Sequence, residues 1–277
     1  MPSIVAPIEY LAKLPLYETE KPWSALLSNG KQFFEKGERL DNVEFEYQDC
    51  TITDIVDNPT LNLETNGFQL YKQTSQHLSN FDTIEKVDAY KAETAAWLKE
   101  KLGAVYVNTY DCRPRLNIEP TRQTVDVMDP LLVDQPARGA HNDVTLKSGP
   151  EIVFRQFSEE EISKYLKPGY RIRIMNTWRP LRPVCEDRPL AFCDADRVLP
   201  HAIGEIDHLQ FNESHRWYWL EKQTPADVFI MTMYDTHPGK QARYCPHISF
   251  ENPRAPTDAP PRRSVETRSI VISKVTA

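Results

Sequence analysis

Twenty-two prolines against nine glycines, spread over 277 residues, restrict what this chain can fold into. Each proline removes a backbone donor and locks one torsion, so it ends a helix or sits at a strand edge. A helical bundle is excluded, and many short strands with irregular connections are favoured. Between the prolines lie segments of strand character. Residues 105–110 are β-branched and aromatic, and residues 228–234 are almost wholly apolar, as a buried strand requires. Residues 170–178 alternate Arg171 and Arg173 with Ile172 and Ile174, which predicts one wet face. Further strands are expected at 43–47, 51–56, 68–71, 138–145, 190–193, 244–250 and 265–272. Asn66-Gly67 reads as a hairpin-type turn, and 209–223 as a hairpin turning at Asn212-Glu213-Ser214.

Two helices interrupt this series. Residues 82–102 carry Val87, Tyr90, Trp97 and Leu98 at helical spacing, with Thr94 on the same face. Asp82 and Glu85 form a capping pattern at its start, and Lys99, Lys101 and Gly103 suit its end. A shorter helix over 158–166 is capped by Ser158 and Glu161 and stopped by Pro168-Gly169. Strands at this spacing predict a mainly β sandwich or jelly roll with flanking helices.

The chain length suits a single domain, 1–277, with residues 1–75 as a strand-rich N-terminal extension and 76–277 as helix plus core. A net charge of −7 without a basic stripe argues against nucleic-acid binding. The five cysteines are odd in number and form no C-x-x-C, so reduced thiols and a cytoplasmic location are expected. Neither a signal peptide nor a membrane-length apolar run is expected. The sequence leaves the oligomeric state open, a homodimer included.

The stretch Arg138-Gly139-Ala140-His141-Asn142-Asp143 puts an imidazole and a carboxylate two positions apart. On a strand they share a face, about 6–7 Å apart at Cα, and both can reach one metal ion. A neutral nitrogen beside a hard anionic oxygen suits Fe(II) or Mn(II) in a three-ligand site with open positions. H-x-D alone also fits a surface strand with a hydrogen-bonded pair. A second histidine, His247, stands in Pro246-His247-Ile248, and Arg262-Arg263-Ser264 follows it. The rival third ligand is His215, which is followed by Arg216-Trp217-Tyr218-Trp219 and also reads as a packed core histidine. His237 sits in a His-Pro-Gly turn and reads as solvated, while His201 and His208 flank a loop without a partner pattern. Asp194 and Asp196 read as loop residues.

The order H-x-D, His, R-x-S is that of the iron- and 2-oxoglutarate-dependent oxygenases. The chain resembles the fungal and bacterial hydroxylase/desaturase family that includes aspergillic acid hydroxylase, gibberellin desaturase and a cephem methoxylase component. Glu20-Lys21-Pro22-Trp23, Asn66-Gly67-Phe68, His141-Asn142-Asp143 and Asn176-Thr177-Trp178-Arg179-Pro180-Leu181 carry the resemblance. So do Pro189-Leu190-Ala191, Cys193-Asp194-Ala195, His215-Arg216-Trp217-Tyr218, Tyr234-Asp235-Thr236, Pro246-His247 and the block from Pro261 to Arg268. Arg263 stands where the family usually has an acidic residue, and the residues after Arg268 also depart from its pattern.

The resemblance implies a double-stranded β-helix, a cupin-like jelly roll, with His141, Asp143 and His247 on Fe(II). It implies 2-oxoglutarate as cosubstrate, molecular oxygen as oxidant and a small natural-product or amino-acid-derived substrate of secondary metabolism. A buried guanidinium should hold the far carboxylate of 2-oxoglutarate, because it offers two parallel donors and stays charged. Arg262, with Ser264 two positions on, is the expected pair. Arg268 is its rival, and Arg179 reads equally as a pocket cation or as a structural arginine. Hydroxylation, desaturation and ring closure remain open. Two other classes also remain: a cupin-like metalloenzyme without 2-oxoglutarate, and a non-enzymatic jelly-roll binder.

Overall fold

The structure, a computed structural model, describes residues 3–23, 41–56, 60–118, 129–194, 207–238 and 242–275. His201 and Asp196 lie outside them. The described strands form two sheets. The first has the order β3 (Phe68–Lys72), β10 (Asp227–Asp235), β6 (Tyr170–Pro180), β12 (Arg263–Lys274) and β4 (Tyr106–Leu116), antiparallel throughout. The second runs β1 (Ser3–Leu11), β2 (Phe45–Asp54), β9 (Trp217–Trp219), β7 (Leu190–Cys193), β11 (His247–Ser249), β5 (His141–Asn142) and β8 (Asp207–His208). This second sheet curls until it nearly closes. The Leu11 amide donates to the Leu209 carbonyl at 2.8 Å, and the Ala140 amide to the Glu9 carbonyl at 2.7 Å. The expected mainly β jelly roll is what forms.

Side-chain alternation divides the core. Ile174 and Trp178 of β6, with Ile270 and Ile272 of β12, meet Phe192 and Leu190 between the sheets. Ile4, Ile8, Ile52, Trp217, Trp219 and Ile248 fill the curled sheet. The outer face of the five-stranded sheet, at Met175, Val265 and Val271, is covered by the helix α2 (Ile84–Lys101). Val87, Tyr90, Thr94 and Leu98 are the buried stripe of α2, and Trp97 is half-buried. Burying side chains of this size contributes about 1.5–3 kcal/mol each.

Several local expectations are corrected. The cap of α2 is Thr83, whose hydroxyl accepts from the Lys86 amide, and Asp82 instead pairs with Lys86 at 2.6 Å. Asn66-Gly67 does not turn a hairpin: it closes the one-turn helix α1 (Leu63–Asn66), with Gly67 as its left-handed cap at φ 84°. The face of β6 expected to be wet is covered, since Arg171 and Arg173 reach Glu64 of α1 at 2.7 and 2.9 Å. The turn at Asn212 exists, but 209–223 is no hairpin. β8 pairs with β5 and β9 with β2 and β7, because Trp217 and Trp219 bury themselves in the core of the curled sheet. Residues 43–47 and 51–56 contribute to one strand, β2. β1 and α3 (Ser148–Gln156) were not legible. α3 holds Pro150 in its first turn, where proline is tolerated. The capping box of α4 (Glu159–Tyr165) forms as expected, with Ser158 and Glu161 reciprocally bonded.

Candidate metal and cosubstrate site

Two of the three candidate ligands meet through register. β5 and β11 are neighbours, and His141 stands directly opposite His247, with ring centroids 4.6 Å apart. Each ring turns its Nδ1 to a carbonyl two residues back: His141 to Gly139 at 2.8 Å, His247 to Cys245 at 3.1 Å. That bond fixes the tautomer and leaves Nε2 aimed at the common centre. Asp143 arrives differently. The expected strand 138–145 is regular only over His141–Asn142, and Asp143 sits in the bend between β5 and α3. Its Oδ1 is nevertheless 3.4 Å from His141 Nε2. One ligand atom from each of His141, Asp143 and His247 lies within 4.8 Å of the other two. Two imidazoles and one carboxylate are the donor set of a facial iron site, so these residues fit the metal.

The charges are consistent with that arrangement. Burial would raise the Asp143 carboxyl, but the Arg268 guanidinium, with His141 and His247 beside it, holds it well below the usual carboxylate range. Burial pushes the His247 imidazole down, and His141 adds to this, against the pull of Asp143. His215 does not join them: it stacks on Tyr10, and its Nδ1 lies 3.3 Å from the Tyr10 hydroxyl. His237 is exposed.

Three arginines were candidates for an anion. β12 is in continuous register with β6, so Ser264, Glu266 and Arg268 share the face that looks into the jelly roll. The register shift after Arg268 concerns only the β4 side. Arg268 lies beside Asp143, with Nε and Nη2 each 3.4 Å from Oδ2. It also binds Asp111 at 2.9 Å and Glu266 at 3.0 Å. Arg262 is 2% exposed. Its Nη1 donates to the Arg188 carbonyl and the Ser249 hydroxyl, each at 2.9 Å, and its Cζ lies 5.7 Å from the Trp178 ring centroid. Its Nε is unpartnered, as is the Ser264 hydroxyl, which is 0% exposed. Burial pushes the Arg262 guanidinium down to about 10, with nearby Arg115 adding to the effect of burial and Cys185 opposing it. Arg179 is not brought to this region. It pairs opposite Val265, on the α2 side of the sheet, and donates to the carbonyls of Gln73 and Pro225, each at 3.1 Å. Strand alternation makes it the structural arginine.

Sequence reasoning passed over two neighbours of the triad. Asn176 of β6 donates from Nδ2 to Asp143 Oδ2 at 2.6 Å. The only signal for it was its place in the Asn-Thr-Trp-Arg-Pro run. His208 pairs with His141 across β5 and β8, with ring centroids 6.3 Å apart; nothing in the sequence indicated that register.

A family model described as "Oxidoreductase/YMDC permease-like domain" matches residues 10–272. The "Alpha-ketoglutarate-dependent dioxygenase phiK" of Fungal sp. is 30% identical over 229 residues, 76% of this chain and 79% of that protein. The chain belongs to the Fe(II)/2-oxoglutarate-dependent dioxygenases. The dioxygenase is also 28% identical over 257 residues to the "Hydroxylase/desaturase efuI" of Hormonema carpetanum, across 83% of this chain and 85% of that one. Its fold is that of the solved "iron and alpha-ketoglutarate-dependent endoperoxidase NvfI", with TM-score 0.79, 22% identity and 99% of both chains covered. The dioxygenase is thus an oxidoreductase using Fe(II), 2-oxoglutarate and molecular oxygen. No helix among its described residues is long and apolar enough to cross a membrane.

Proposed function

We propose that this dioxygenase is one oxygenase domain in which His141, Asp143 and His247 hold iron and Arg262 with Ser264 anchors 2-oxoglutarate. The observation that carries this is the pairing of a compact three-donor cluster with a buried, unneutralised guanidinium one strand repeat away. Ser249, which Arg262 touches, lies two residues beyond His247 on β11. That places the guanidinium about 7 Å along the strand from the ligand. Arg262 Nε and the Ser264 hydroxyl, both buried and without a partner, would hold the far carboxylate of a keto acid bound at the metal. Arg268 is less suited to this task, because carboxylates already surround it.

Bound iron and its keto acid supply the activation of oxygen that lets a hydrogen atom be taken from an unactivated C–H bond. The chain does the rest. His141 and His247 are oriented through Nδ1, Asp143 supplies the anionic donor, and Trp178 flanks the Arg262 guanidinium. The substrate is a small natural product or amino-acid derivative of secondary metabolism, and its pose selects hydroxylation, desaturation or ring formation. A cytoplasmic location and the absence of nucleic-acid and membrane partners complete the reading, with the oligomeric state, a homodimer included, left open.

The test is formation of succinate from 2-oxoglutarate with Fe(II) and oxygen across amino acids, peptides and terpenoids. Arg262→Ala should raise the 2-oxoglutarate KM about 10–1000-fold, the loss expected for a buried charge-assisted pair. Arg262→Lys should recover only part of this, for want of the bidentate fork. If Arg268→Ala shows the large KM effect and Arg262→Ala does not, the anchor is Arg268. If the wild type forms no succinate under any of these conditions, the reading fails.

A further inference from the structure

Asn176 lies in the middle of β6, hydrogen-bonded between β10 and β12, and is 0% exposed. Its Nδ2 reaches Asp143 Oδ2 at 2.6 Å, while its own Oδ1 has no partner. Leaving a buried amide oxygen unpaired is costly, so a residue kept in this state for stability alone would be better replaced by an apolar one. Asp143 explains what the amide is for. It stands in a bend, outside any strand ladder, so the backbone does not fix its carboxylate. The two oxygens are held in opposite senses: Oδ1 faces His141 Nε2 at 3.4 Å, and Oδ2 faces Asn176 Nδ2. Arg268, the residue opposite Asn176 on β12, approaches the same Oδ2 at 3.4 Å.

We propose that Asn176, seconded by Arg268, is a positioning residue that clamps Asp143 Oδ2 and so presents Oδ1 alone to the metal. Two donors on adjacent strands of one sheet thereby orient a ligand carried by the other sheet. Arg268 supplies the charge, and Asn176 supplies the shorter and directional bond. The inference rests on the metal-site reading above and adds to it a residue that touches neither metal nor cosubstrate. Partners of this kind typically change metal affinity by about 10–100-fold when removed.

The test is a titration of the full chain with Mn(II) alone, followed by electron paramagnetic resonance, beside a thermal melt without metal. Asn176→Leu keeps the volume and removes the unpaired oxygen. It should melt at or above the wild-type temperature and bind Mn(II) about 10–100-fold more weakly. Asn176→Ala should weaken Mn(II) similarly, and it stands in if the leucine variant does not fold. Arg268→Gln should also weaken Mn(II). Weaker melting with unchanged Mn(II) affinity in the Asn176 variants would make Asn176 a structural residue and overturn the clamp. Asp143→Ala separates the two readings. If it leaves Mn(II) binding unchanged, the metal site itself is wrong; if it abolishes binding and Asn176→Leu does not alter it, only the clamp fails.

Discussion

Arg262, which immediately precedes β12, and Arg268, six positions further on within it, have surroundings that differ in sign. Arg268 touches three carboxylates, Asp111, Asp143 and Glu266. Those charges outweigh the effect of burial and hold its proton more firmly than usual. Arg262 meets a carbonyl and a hydroxyl, and burial loosens its proton. On the proposed reading, an anion is therefore drawn to Arg262 rather than to Arg268. The same scale decides Gly139. Its φ is 71°, and a Cβ there would lie 2.2 Å from the Phe45 ring. Its carbonyl also holds His141 Nδ1. Gly139→Ala should cost about 1–3 kcal/mol in chemical denaturation, from left-handed strain and displacement of Phe45, and should weaken Mn(II) binding. Unchanged Mn(II) affinity would mean that the Gly139 carbonyl does not orient His141.

At the level of elements, what was legible followed from burial pattern. The apolar run of β10, the stripe of α2 and the capping box of α4 each carry a local periodicity that tertiary contacts did not override. The three members of the cluster were named from the order of the motifs and the family resemblance, with His215 kept as a rival to His247. What was not legible was set by partners distant in sequence. β9 leaves its local turn for the core of the curled sheet, Arg173 is covered by Glu64, and Arg179 falls on the helix side by parity. The connection between β8 and β9 offers a test by pH. His215 there is pushed down to about 4 by burial, with Lys13 contributing. The folded state keeps it neutral, while the unfolded chain takes up a proton below about pH 6.5. Stability should therefore fall as pH drops from about 6.5 to about 4, with a slope of at most about 1.4 kcal/mol per pH unit from this group. His215→Phe keeps the stack on Tyr10 and should remove one proton from that dependence in urea titrations at several pH values. An unaltered slope would show that His215 is charged in the folded protein.

The whole molecule depends on its first strand more than an N-terminal extension would suggest. β1 pairs with β2 along nine register positions and bonds to Ala140 and Leu209 at the far side of the curled sheet. Glu9 of β1 also binds the Gly139 amide at 2.7 Å and pairs with Arg138, so the closure lies one residue from the turn that orients His141. Removal of residues 1–11 should abolish the cooperative melt and Mn(II) binding together. A truncated chain that melts cooperatively and still binds Mn(II) would show that the core needs no closure.

That closure also sets an order of events during synthesis. β1 and β2 emerge first, but their next neighbour, β9, begins only at Trp217. Until then the β2 edge of the pair stays open, and a two-stranded ribbon of this kind is at most marginally stable in water. His141 likewise waits for His247, which follows 106 positions later (247 − 141). At roughly 5–20 residues per second, that interval lasts about 5–21 s. Through it the nascent chain carries His141 and Asp143 without the third member of the cluster, so on the proposed reading iron is held firmly only after His247 has been made.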